Sequence, residues 1–156
     1  MKTNIAISIL LILALALTGC AGGDKAGAAK DWDVEALYTQ MESSVDMPGM
    51  LELDDTMKFD FCGVDAAELN QSKMLVCEDS LRTDEIWLLE VKDAAGMKEI
   101  DELIAARIKA KEDESITYSP EQYAIVQKHN VIKNGNFVAL IVSPSVDELS
   151  AVVENY

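Results

Sequence analysis

The sequence predicts an α+β domain: an antiparallel four-stranded sheet made of two hairpins, with helices packed on one face. Three observations carry that expectation. "VIKNGNFVALIV" (131–142) sets Asn134-Gly135 between two apolar runs, the pairing that suits a type I′ turn and therefore a hairpin. "KMLVCE" and "EIWLLEVK" read as two more strands, joined by the polar stretch Asp79 to Asp84. Between the two pairs the apolar spacing lengthens to three and four residues, the period of helices. Hairpins separated by helices point to a mixed antiparallel architecture.

Taken in order, the first element is a helix. Val34, Leu37, Tyr38, Met41 and Val45 recur at helical steps, with Asp31 or Asp33 at the start and Pro48-Gly49 beyond the end. A second short helix covers residues 54 to 61 and stops at Gly63. Asp65 and Glu68 have capping-box spacing and suit one more turn. After the first strand pair, Met97, Ile100, Leu103, Ile104 and Ile108 mark a long helix that decays into "KAKEDES". Ser119-Pro120-Glu121-Gln122 opens another, with a serine cap and proline at the first helical position. It carries Tyr123, Ile125 and Val126. Ser145 and Glu148 box the start of a final helix after the second strand pair.

The chain begins differently. Lys2 is followed by an apolar run from Ile5 to Leu17, broken only by Ser8, and then by small residues. That is the order of a secretory signal peptide. A spanning helix needs roughly 20 apolar residues, more than this run supplies. Leu17-Thr18-Gly19-Cys20 resembles the lipobox of bacterial lipoproteins, in which cleavage precedes the cysteine and lipid is added to it. More than one acyl chain anchors stably, so Cys20 holds the domain at a membrane without a protein span. Residues 1–19 are thus read as a signal peptide. Residues 20–30, ending in "AGGDKAGAAK", are the lipidated cysteine and a flexible tether, and residues 31–156 are one domain. The expected location is the extracytoplasmic face of the cell membrane.

The formal charge is −15, and the leader contributes only Lys2 to it. Such acidity excludes a nucleic-acid partner, which needs a basic face. It also opposes lying flat on anionic lipid, and serves solubility and mutual repulsion. Two cysteines remain in the domain, Cys62 and Cys77. An exported compartment permits a bridge between them, and two buried free thiols are the other reading.

The run of motifs has a resemblance. A lipobox, "FCGVD", "TDEIWLLEVKD", the arginine of "AARI", "YSPEQY" and "NGNFVALIVS" occur in that order. The chain resembles the bacterial lipoprotein family catalogued as domain of unknown function 4358, over roughly residues 31 to 156. The family pattern has a tyrosine-glycine pair where this chain has Cys62-Gly63, which makes Cys62 particular to this protein. The resemblance implies a cell-surface lipoprotein, mostly of Gram-positive anaerobes. It implies no activity, ligand or catalytic residue.

The residues themselves carry little catalytic signal. HExxH, CxxC, GxSxG and glycine-rich phosphate loops are missing. His129 is the only histidine and falls near a helix end, where a structural role is natural. Asp54-Asp55 and Asp84-Glu85 are paired carboxylates in a chain full of them. Met47 and Met50 fill space at a core edge more readily than they bind copper(I). No metal or cofactor is expected.

Arg107 is out of place, because it falls among Leu103, Ile104 and Ile108 on the apolar stripe. A buried guanidinium needs a partner. Glu85 is the candidate, on the strand face shared by Trp87, Leu89 and Val91, with Tyr118 and Tyr123 as further acceptors. Three readings stay open for Arg107: it snorkels past the helix rim, it forms a structural pair, or it grips a ligand in a cleft. At the level of function the expectation is a membrane-anchored, non-catalytic module that docks an envelope protein or holds a small ligand. The alternative is a small envelope-acting hydrolase using acidic residues.

Overall fold

The computed structural model describes residues 31–156. The leader, the Cys20 lipidation site and the tether read from the sequence lie outside these residues. Five strands form one antiparallel sheet in the order β1-β2-β3-β5-β4: β1 (Met50–Glu52), β2 (Leu69–Cys77), β3 (Glu85–Val91), β4 (Asn130–Asn134) and β5 (Phe137–Val142). The two expected hairpins supply four of them. The fifth, β1, corrects the four-stranded expectation. It is three residues long and has no alternating pattern of its own, so it exists through its pairing with β2, Met50 opposite Cys77 and Glu52 opposite Leu75.

The helices also depart from expectation, because they cover both faces of the sheet. Helices α1 (Val34–Ser44) and α5 (Val146–Asn155) pack on one face. There Leu37, Met41, Leu149 and Val153 meet Leu75, Ile86, Leu88, Ala139 and Ile141. Helices α2 (Asp55–Cys62), α3 (Ala94–Tyr118) and α4 (Pro120–Gln127) pack on the other. There Ile100, Ile104, Ile108 and Val126 meet Met74, Trp87, Leu89, Val138 and Leu140. The reason is written in β5: "FVALIV" is apolar at every position and every position is buried. A strand that is apolar on both sides needs a cover on both sides, and each large side chain buried contributes about 1.5–3 kcal/mol.

Local signals explain the helix ends. Asp33 caps α1, its carboxylate accepting from the Glu35 and Ala36 N–H groups at 3.1 and 3.0 Å. Asp54 caps α2 through the Met57 N–H at 2.9 Å. Helix α2 ends where Gly63 takes a φ of 73°, a left-handed conformation that suits glycine. Ser119 caps α4 through the Gln122 N–H at 3.2 Å. The box expected at Ser145 does not form: its side chain caps nothing, and its N–H donates to Ser143 Oγ instead. Asp65 caps a single 3-10 turn, Ala66–Glu68.

Helix α3 runs on through the stretch where it was expected to decay. Its buried face continues from Ile100, Ile104 and Ile108 into Lys111 and Ser115 at the same spacing. The stripe keeps its period and changes its chemistry. The chain comes into the domain at the opposite end of the sheet: the Trp32 carbonyl accepts from Gln71 Nε2 at 2.9 Å, and its ring lies 5.4 Å from that of Phe137. No helix among the described residues is long and apolar enough to cross a membrane.

Candidate functional site: a cleft over a buried carboxylate

Glu85 opens β3 on the face shared by Trp87, and its side chain is 0% exposed. A carboxylate there needs donors for its lone pairs. Trp87 Nε1, two residues along the same strand face, donates to Oε1 at 2.6 Å. From α3, Arg107 Nε reaches Oε1 and Oε2 at 3.0 and 3.1 Å, and Nη2 reaches Oε2 at 2.8 Å. Lys111, one helical turn on, places Nζ 2.7 Å from Oε2. Residues four apart share a helix face, so both cations arrive from one side.

The electrostatics follow from that crowding. Burial pushes the Glu85 carboxyl pKa up, but Lys111 and Arg107 together more than reverse it and hold the group below the ordinary carboxylate range. Arg107 loses some basicity to burial and regains more from Glu85. The Cys62 thiol, packed into the same core, is pushed up to about 11 by burial, with Glu85 adding to the effect.

Neighbouring polar groups fix the loop before β3. Lys111 Nζ donates to the Thr83 carbonyl at 3.1 Å. Gln122 Oε1 accepts from the Thr83 N–H and hydroxyl at 2.8 and 3.0 Å. Arg82 clasps the buried Asp84 with Nε and Nη2 at 3.0 and 3.2 Å. Above these groups lies a cleft of about 440 Å³, lined by Arg107 and Lys111 below and by Phe61 and Tyr118 beside. Asp60 and Glu114, both exposed, also line it.

The family described as "Domain of unknown function (DUF4358)" matches residues 43–143, more than half of the chain. The chain belongs to that family. The DUF4358 match includes every residue that lines the cleft and leaves out α5. No curated protein and no solved structure matches the chain.

The other residues singled out in the sequence fall elsewhere. Cys62 and Cys77 are free thiols, so of the two readings left open by the sequence the structure has the unbridged one. Cys62 sits in the core under α2, whereas Cys77 stands on β2 in phase with Leu75, which packs in the opposite core, so the sheet separates them. His129 Nδ1 lies 2.8 Å from the Val126 carbonyl at the end of α4. Met47 and Met50 pack at the rim of the core under α1. Asp54 is a cap, and Asp55 pairs with Lys58 at 3.0 Å. Tyr123 accepts from Gln127, and Tyr118 walls the cleft; neither reaches Arg107. No group of three or more His, Cys, Asp or Glu among the described residues is arranged to hold a metal ion.

Sequence reasoning missed Lys111 and the Trp87 indole N–H as partners of Glu85. Both had a signal. Lys111 is four residues from Arg107, and Trp87 is two residues from Glu85 on the same strand face.

Proposed function

We propose that this DUF4358 chain is a lipid-anchored extracytoplasmic module that works by binding rather than by catalysis. The lipobox at Leu17-Thr18-Gly19-Cys20 supports the anchor. The observation that carries the binding role is the saturated carboxylate of Glu85, buried beneath the Arg107 and Lys111 that line the cleft. Both oxygens of Glu85 are occupied by Trp87, Arg107 and Lys111. A group held ionised in this way neither gives nor takes a proton near neutral pH, as a general acid or base must. It serves instead to fix two cations in place under an open cleft. The same argument removes Glu85 as one of the two carboxyls that a small acidic hydrolase would use.

The anchor is tested by fractionating cells that express the wild type or Cys20→Ala. The wild type is expected in the membrane fraction and in the detergent phase, and Cys20→Ala outside both. Unchanged partitioning of Cys20→Ala overturns the anchor.

A further inference from the structure

The cleft states what kind of ligand suits it. Arg107 has five N–H donors, and it spends Nε–H and one Nη2–H on Glu85. That uses the side edge of the guanidinium. The end edge, built from Nη1 and the outer proton of Nη2, meets no acceptor among the described residues. The Arg107 side chain is 24% exposed and lines the cleft, so this edge is the part within reach of a ligand. A free guanidinium edge matches the two oxygens of a carboxylate. Lys111 uses two of its three donors, on Glu85 and on the Thr83 carbonyl. Two cations against one carboxylate leave a single positive charge on the floor.

The rim is different. Asp60 and Glu114 are exposed there, while the buried Asp84 beneath is neutralised by Arg82. A simple anion approaching the floor passes two carboxylates on a chain of charge −15. A simple cation suits the rim and is repelled by the floor. A ligand with both charges satisfies both levels. Phe61 and Tyr118, 58% and 44% exposed, offer apolar surface beside them. The volume of about 440 Å³ is at the small end for ligand pockets and has room for an amino acid or a dipeptide.

We infer that the cleft binds a zwitterion of amino-acid or dipeptide size, with its carboxylate on the free edge of Arg107 and its ammonium toward Asp60 and Glu114. Its apolar group lies against Phe61 and Tyr118. This rests on the binding reading given above and specifies the ligand class.

Trp87 supplies the probe. Its indole N–H bonds Glu85 under the cleft, whereas Trp32 lies on the other face of the sheet and serves as a control. The full-length protein in detergent, labelled with ¹⁵N, is titrated with phenylalanine, alanyl-phenylalanine, phenylacetate and phenethylamine. Phenylalanine or the dipeptide should move the Trp87 indole signal saturably and leave Trp32 unmoved. Whichever of the two binds tighter identifies the source of the zwitterion. Phenylacetate and phenethylamine, each lacking one charge, should each bind more weakly, by up to about fivefold, the value of one exposed ion pair.

Asp60→Asn with Glu114→Gln alters only exposed side chains and keeps the fold. It should weaken phenylalanine and strengthen phenylacetate. No shift with either zwitterion overturns the inference, as does equal binding of all four probes. Phenylacetate moving Trp87 as strongly as phenylalanine sinks the zwitterion while leaving a binding cleft. The anchor fails or stands separately, in the Cys20→Ala fractionation.

Discussion

Arg107 and Lys111 converge on the same oxygen of Glu85, at 2.8 and 2.7 Å, from successive turns of α3. The site is therefore a triad rather than a pair, and its members are not equivalent. Removing Glu85 strands two cations, whereas removing Arg107 leaves Glu85 with Lys111 and Trp87.

The stability consequences follow that asymmetry. Breaking a buried ionic cluster at its centre costs about 3–5 kcal/mol, and Glu85→Ala belongs in that range. Arg107→Ala should cost less, about 1–3 kcal/mol, the value of hydrogen bonds to a charged group that keeps other partners. The double variant should lose less than the sum, because the second deletion removes a charge the first left unpaired. Urea unfolding of the four proteins reads this directly. An Arg107→Ala loss larger than that of Glu85→Ala contradicts the triad.

Acid sensitivity has a definite sign. The folded pKa of Glu85 lies below its unfolded value, which is about 4.3 for a free glutamate. Its contribution to stability is fully present above the unfolded value and is lost as pH falls through the folded one. Urea midpoints measured from pH 7 down to pH 3 should fall more steeply for the wild type than for Glu85→Gln. Parallel slopes would show that Glu85 is not held ionised by its neighbours.

The two domain thiols should behave differently. In Cys20→Ala only Cys62 and Cys77 remain, and both should titrate in the denatured, unreduced protein. In the folded protein the half-buried Cys77 should react first with a thiol reagent at pH 8. Cys62 is buried and has its pKa pushed up to about 11, so it offers little thiolate and should react only as the domain opens. Simultaneous modification of both would contradict the packing of Cys62.

Much of the site was legible because it obeys simple periods. Glu85 and Arg107 stood out as polar residues at apolar positions, one on a strand with period two and one on a helix with period three to four. The end of α3 was not legible for the same reason inverted. Lys111 and Ser115 keep the helical spacing, yet their polarity hides a buried face that works through charge and hydrogen bonding. The strand β1 left no trace because pairing, not side-chain pattern, makes it. Burial of both sheet faces was present in "FVALIV", whose lack of alternation already excludes a solvent-facing side.

Trp32 and the cleft lie at opposite ends of the central strands. Phe137, which contacts Trp32, pairs with Glu90, while Glu85 pairs with Val142, a separation along β3 of about 17 Å. Under the anchor proposed at Cys20, a domain held from the Trp32 end carries the cleft outward, away from the lipid headgroups. Under that proposal a bilayer carrying many such chains would present a layer of outward-facing mouths standing off the surface. Capture would then depend on how many chains each patch of membrane carries, and a solute would meet the cleft before it meets the membrane.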